Sequence, residues 1–165
     1  MSILRLNLLY LVLSVVSNYC SIILHLNPDL RIISVIMVIV DGYNVIYAWA
    51  CLREAKNKGL ECAREKLIQI MTRYQDFNDK EVSVVFDGSK RFDYMCYDQI
   101  NTEVDVIFSK NGKTADSAIE RMIYKLPDKS RALVVTSDRL IRMMVGGMGA
   151  RSVSSKNFEL MIKNQ

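Results

Sequence analysis

The chain has 165 residues, 50% apolar and 24% charged, which excludes a disordered chain and suits one domain with a proper core. Its net charge of +4 permits a polyanionic partner without requiring one. The 4 cysteines, Cys20, Cys51, Cys62 and Cys96, form no C-x-x-C pair, and there is a single histidine, which counts against a structural zinc site.

Residues 6–26 form an apolar stretch, with no charge between Arg5 and Asp29. About 20 apolar residues suffice to cross a bilayer. Asn7, Ser14, Ser17, Asn18, Ser21 and His25 dilute the stretch, and no small-x-small cleavage site follows. Three expectations stand: a membrane anchor, a segment packed on the domain, and a start codon placed too early. The last is favoured because Met37 immediately precedes the first core strand. The expected division is therefore an apolar leader over residues 1–36 and a folded domain over 37–165.

Val35 to Val40 reads as a central parallel strand, apolar on both faces. It ends in Asp41-Gly42, where glycine allows a sharp turn. Tyr43 to Cys51 starts helically, with Val45, Ile46 and Trp49 at core spacing. Arg53 to Gly59 is polar and basic and is expected to be a loop. Leu60 to Phe77 is the clearest helix: Leu67, Ile70, Met71 and Tyr74 recur every three or four residues, and Arg64 falls on another face. Val82 to Phe86 is the second strand, closed by Asp87-Gly88. Ser89 to Asn101 reads as a long exposed loop and Val104 to Phe108 as an edge-style strand.

A basic turn, Lys110-Asn111-Gly112-Lys113, precedes Thr114, an N-cap for an amphipathic helix over Ala115 to Leu126 with Ile119, Met122, Ile123 and Leu126 inward. Ala132 to Thr136 is the fourth strand. Asp138 to Val145 is a short helix ended by Gly146-Gly147, with Met143, Met144 and Met148 as core filler. A fifth strand over Ala150 to Val153 and a helix over Ser155 to Ile162 close the chain. The pattern is three-layer α/β with a parallel sheet and helices on both faces.

Each acid at these strand and helix ends has an ordinary role taken alone. Asp116 and Asp138 suit a helix N-terminus, and Asp41 and Asp87 suit turns before glycine. As a set they are informative, because parallel strands bring all four to one sheet edge, where open α/β sheets bind ligands. Glu120, four residues after Asp116, shares its helical face. Carboxylates in one crevice repel unless a cation sits among them. Oxygen donors without His or Cys select Mg²⁺ or Mn²⁺, ions that activate water and stabilise charge on phosphorus. Asn44 is a neutral donor for Asp41 or a phosphate oxygen, or simply a polar residue of the helix start. Lys90, Arg91, Lys110, Lys113 and Arg139 flank the same edge, and Phe92, Tyr94 and Tyr97 interleave with two of them. Single-stranded nucleic acid stacks on such rings while cations take its phosphates. A solvated loop fits those residues equally well. A small-molecule phosphohydrolase would want an Asp-x-Asp pair, but Tyr43 stands two residues after Asp41.

Five segments in order, Val40-Asp41-Gly42-Tyr43-Asn44, Ala63-Arg64-Glu65-Lys66-Leu67-Ile68, Val84-Val85-Phe86-Asp87, Thr114-Ala115-Asp116-Ser117-Ala118-Ile119-Glu120 and Val135-Thr136-Ser137-Asp138, resemble the NYN-domain family of the YacP type, which is similar to PIN-domain nucleases. The resemblance runs from Met37 to Phe158. It implies a PIN-like Rossmannoid fold with strand order 3-2-1-4-5. It also implies a metal-dependent endoribonuclease that cuts single-stranded RNA, of a ribosome-associated type acting on messenger RNA. Asp41, Asp87, Asp116 and Asp138 are then the metal-binding acids, with Asn44 and Glu120 in support and Arg64 a basic residue near the site, directed toward the crevice as an RNA contact or simply to solvent. A catalytically inactive RNA- or ribosome-binding module with the same fold is the alternative. A nuclease of this kind implies the cytoplasm and free thiols, unless residues 6–26 anchor it to a membrane. Similar proteins continue into a longer basic C-terminal helix, where this sequence stops at Gln165.

Overall fold

The structure, a computed structural model, describes residues 35–88, 104–109 and 114–164. Residues 1–34, 89–103, 110–113 and 165 lie outside the described residues, and with them the expected loop over Ser89 to Asn101, the expected basic turn over Lys110 to Lys113 and all but the last two residues of the expected leader. Five strands form the sheet: β1 (Met37–Asp41), β2 (Glu81–Phe86), β3 (Asp105–Phe108), β4 (Ala132–Val135) and β5 (Arg151–Val153). Every pairing is parallel and the order is β3-β2-β1-β4-β5, as the resemblance implies. β1 lies at the centre because it has apolar side chains for both faces: Val38, Ile39 and Val40 are all fully buried.

Strand alternation divides the core in two. Val38, Val40, Val82, Val84, Phe86 and Val135 meet one helical layer, and Ile39, Val85, Ala132 and Val134 meet the other. The first layer holds α1 (Gly42–Ala48), α2 (Ala50–Lys56), α3 (Leu60–Asn78) and α6 (Ser155–Lys163). The second holds α4 (Ala115–Lys125) and α5 (Arg139–Gly147), whose Ile119, Ile123, Ile141 and Val145 are buried. Handedness explains the split. The chain runs from β1 to β2 in one direction across the sheet and from β3 to β4 to β5 in the other. Right-handed crossovers then put the connecting helices on opposite faces. The direction reverses between β1 and β4, which opens a crevice at their carboxyl ends.

Three local expectations are corrected. Arg53 to Gly59 is helical as far as Lys56, because the chain breaks earlier, at Trp49, which is extended (φ −84°, ψ 131°). α2 restarts beyond it, buries Leu52, and Arg53 turns back to donate to the Tyr47 and Ala48 carbonyls at 3.2 and 2.7 Å. α5 continues through Gly146-Gly147, and the glycine with a left-handed backbone is Gly149, φ +88°. Met144 and Met148 pack against the core, but Met143 is 64% exposed, since it falls on the outer side of α5. Among the described residues Cys51 and Cys62 are free thiols, and no helix is long and apolar enough to cross a membrane.

The break at Trp49 ties distant parts of the chain together. Its indole N–H donates to the Ser155 carbonyl at 2.7 Å, and its ring meets Phe158 of α6, which in turn meets Tyr74 of α3. Trp49→Phe removes that hydrogen bond and leaves unfilled volume. It is expected to lower the unfolding free energy by about 2–3 kcal/mol, read from urea denaturation.

Candidate functional site

β1 ends by placing Asp41 in the crevice. The turn that follows requires glycine: a Cβ on Gly42 would lie 2.2 Å from Phe86 Cε1. Asp41 caps α1, its Oδ1 accepting the Asn44 N–H at 3.2 Å, and its Oδ2 accepts the Thr136 hydroxyl at 3.0 Å. Thr136 is fully buried just beyond β4, and its Oγ1 accepts the Asp138 N–H at 3.1 Å. One hydroxyl therefore joins the ends of β1 and β4. Asn44 makes a second joint. Its Oδ1 accepts the Ser137 N–H at 2.8 Å and the Ser155 hydroxyl at 2.7 Å. Because a backbone N–H can only donate, the amide orientation is fixed and Nδ2 is left as a donor.

Asp87 arrives from β2. Its Oδ1 accepts the Ala115 N–H at 2.5 Å, the open N-terminus of α4, and the Ser109 hydroxyl at 3.5 Å. Ser109 follows β3 and approaches so closely that a Cβ on Gly88 would lie 1.9 Å from its carbonyl oxygen. These contacts bring the first turn of α4, and with it Asp116, to the end of β2. Asp138 caps α5, its Oδ1 accepting the Leu140 and Ile141 N–H groups at 2.7 and 3.3 Å.

Neighbouring acids act on Asp41 and on Asp116. The Asp41 carboxyl is pushed from its ordinary 3.8 up to about 6, chiefly by burial. The hydrogen bonds from Asn44 and Thr136 pull it down, and the charges of Asp116 and Asp87 raise it further. Asp116 is also raised, by desolvation and then by Asp138 and Asp87. Four segments distant in sequence thus bring acids to one sheet edge, although among the described residues no group of three or more His, Cys, Asp or Glu is gathered closely enough to hold a metal ion. The donors are oxygens only, and Asp87 and Asp138 each commit Oδ1 to a helix start, with no hydrogen-bond partner for Oδ2 among the described residues. That chemistry fits a hard divalent cation, which would offset both the burial and the repulsion.

Glu120 is exposed and lines an open groove with Ser117, Arg121 and Tyr124, and it is not among the charges acting on Asp116. Arg64 does not point to solvent. It is 2% exposed, donates to the Tyr43 hydroxyl and lies over the rings of Tyr43 and Phe86. Arg139 is exposed at the start of α5, beside Asp138. Lys90, Arg91, Lys110 and Lys113, with the aromatic residues Phe92, Tyr94 and Tyr97, lie outside the described residues. Thr136, Ser155 and Ser109 were not expected as site residues. Thr136 carried a usable signal, a hydroxyl directly after a buried strand and two residues before Asp138. Ser109 and Ser155 carried none.

The model of the YacP-like NYN domain family matches residues 38–165. The chain belongs to this family. It is 37% identical over 123 residues to YacP of Bacillus subtilis (strain 168), covering 73% of this chain and 71% of that one. A crystal structure of Rae1 (YacP) from Bacillus subtilis superposes with a TM-score of 0.66 at 34% identity, covering 78% of this chain and 74% of that one. A mutant of Rae1 gives 0.65 at 33%. Membership of the YacP-like NYN family points to a PIN-like nuclease and an RNA-related role.

The raised Asp41 pKa has a stability consequence. A carboxyl whose folded pKa lies above its unfolded value favours the fold below pH 3.8, and that contribution is lost as pH rises through about 6. Asp41→Asn removes the charge. In metal-free protein at pH 7.5 it is expected to raise the unfolding free energy, by at most about 3 kcal/mol. The gain should vanish below pH 4, as read from urea denaturation at the two pH values.

Proposed function

We propose that this YacP-like NYN domain is a Mg²⁺- or Mn²⁺-dependent endoribonuclease that hydrolyses phosphodiester bonds of single-stranded RNA. The observation that carries the reading is geometric: at the topological switch point one Thr136 hydroxyl joins Asp41 to the Asp138 N–H, and Asp87 accepts the Ala115 N–H beside Asp116. Family resemblance adds messenger RNA on the ribosome as the setting, in the cytoplasm.

Asp41, Asp87 and Asp116 would hold the cation, with the open oxygen of Asp138 beside them. A bound divalent cation supplies Lewis-acid charge against the scissile phosphate and the attacking water. The chain's own residues do the rest. Thr136 fixes the Asp41 carboxylate in direction, so that it need not reorganise during reaction. Asn44, locked through its carbonyl oxygen, presents Nδ2 as a donor to a phosphate oxygen. Arg139 and the lysine and arginine residues at 90, 91, 110 and 113 would hold the strand by its phosphates. Arg64 acts through Tyr43, as a positioning residue, rather than on RNA. Glu120, exposed in a groove with Ser117, Arg121 and Tyr124, would stand outside the ligand set.

The test is cleavage of a labelled single-stranded RNA with Mn²⁺. Asp41→Asn is expected to lower the rate by at least about 10²-fold while the fold is kept, and excess EDTA should stop the wild type. Cleavage that persists in folded Asp41→Asn, or in EDTA, overturns the proposal. Tight RNA binding without any cleavage would favour the inactive binding module instead. A second expectation concerns pH. Protons compete with the cation for Asp41, so Mn²⁺ affinity by calorimetry should fall about tenfold per unit as pH drops below about 6.

A further inference from the structure

We infer that Tyr47 and Lys56 form a stacking subsite for one base of single-stranded RNA beside the acidic crevice, an inference that rests on the function proposed above. Tyr47 lies on α1, the helix that Asp41 caps, six residues after that carboxylate, or about 9 Å along the axis. It is 52% exposed, the large exposed ring of α1 and α2. The Lys56 ammonium sits 4.2 Å from its centroid. Its carbonyl accepts from Arg53, and its ring meets Tyr43 at 6.5 Å. Tyr43 is itself clamped by Arg64 and lies 5.3 Å from Phe86, which stacks on Phe108 at 5.4 Å.

An aromatic row thus runs from solvent along the carboxyl edge of the sheet. It passes Tyr43, two residues after Asp41, and Phe86, one residue before Asp87. Tyr47 is its exposed end, whereas Tyr43 and Phe108 are half-buried and Phe86 is buried. That end carries basic charge from Arg53, Lys56 and Lys58, and the ring is already held in place, so little ordering remains when a base stacks on it. A flat ring among cations matches a base and its phosphate. A protein partner would want a wider apolar patch, which α1 and α2 do not offer among the described residues.

The experiment is fluorescence anisotropy of a labelled oligoadenylate in EDTA, where the strand stays intact, using the full chain. Tyr47→Ala is expected to weaken binding by about 5- to 150-fold, and Tyr47→Phe to bind as the wild type. Lys56→Gln should lower the slope of log affinity against log salt by about one. An unchanged thermal melt shows that the fold is kept. This outcome supports the subsite whether or not the wild type cleaves RNA. Wild-type affinity in Tyr47→Ala overturns the inference even where Asp41→Asn abolishes cleavage. Equal losses in the Ala and Phe variants, or no RNA binding by the wild type, overturn it as well.

Discussion

The hydroxyl of Thr136 holds the molecule's two halves in register at the point where the sheet changes direction. It donates to Asp41 at the end of β1 and accepts from the backbone that leads into Asp138. A buried hydroxyl without partners is costly, and here donor and acceptor capacity are both used. Asn44 repeats the device one turn later, accepting from Ser137 and from Ser155 of α6. The crevice between β1 and β4 therefore has walls fixed by short polar contacts, while apolar packing holds the layers behind it.

Stability and chemistry pull against each other at this point. Burying Asp41 and placing two other acids near it raise its pKa to about 6, which weakens the metal-free fold at neutral pH. A protein selected for stability alone would place a neutral side chain there. The cost is tolerated where the rest of the structure over-determines the position, and perturbed carboxylates of this kind cluster at functional sites. The clearances say the same. Gly42 and Gly88 stand where a Cβ would collide with Phe86 and with the Ser109 carbonyl, so Asp41 and Asp87 are each followed by a glycine that lets neighbouring strands close on it.

The aromatic and cationic residues behind the acids form a second, supporting system. Arg64 is buried with its charge spread over Tyr43 and Phe86 and its N–H groups directed at the Tyr43 hydroxyl. A buried guanidinium persists only where such contacts offset its desolvation. The arrangement stiffens the first turn of α1, the turn that carries Asn44.

Much of this was legible in the residues. Continuous apolar runs ending in Asp-Gly gave central parallel strands. The three- and four-residue recurrence gave α3 and α4, and the order of five short segments gave the family and with it the strand order. Those features are local or inherited, and one-dimensional spacing records them. What spacing does not record is which polar groups meet across the sheet. Arg64 read as an RNA contact or a solvent-facing residue because its burial depends on Tyr43 folding over it. Arg53 read as loop because the helix break belongs to Trp49 and its bond to Ser155, 106 residues away. Ser109 and Ser155 look like any serine until β3 and α6 deliver them. The sequence alone determined the fold class and four acids facing one edge, because side-chain period and strand ends follow from neighbouring residues. Only the tertiary structure decided which acid is buried, which hydroxyl holds it and which cation lies inside, because those depend on contacts between residues far apart in the chain.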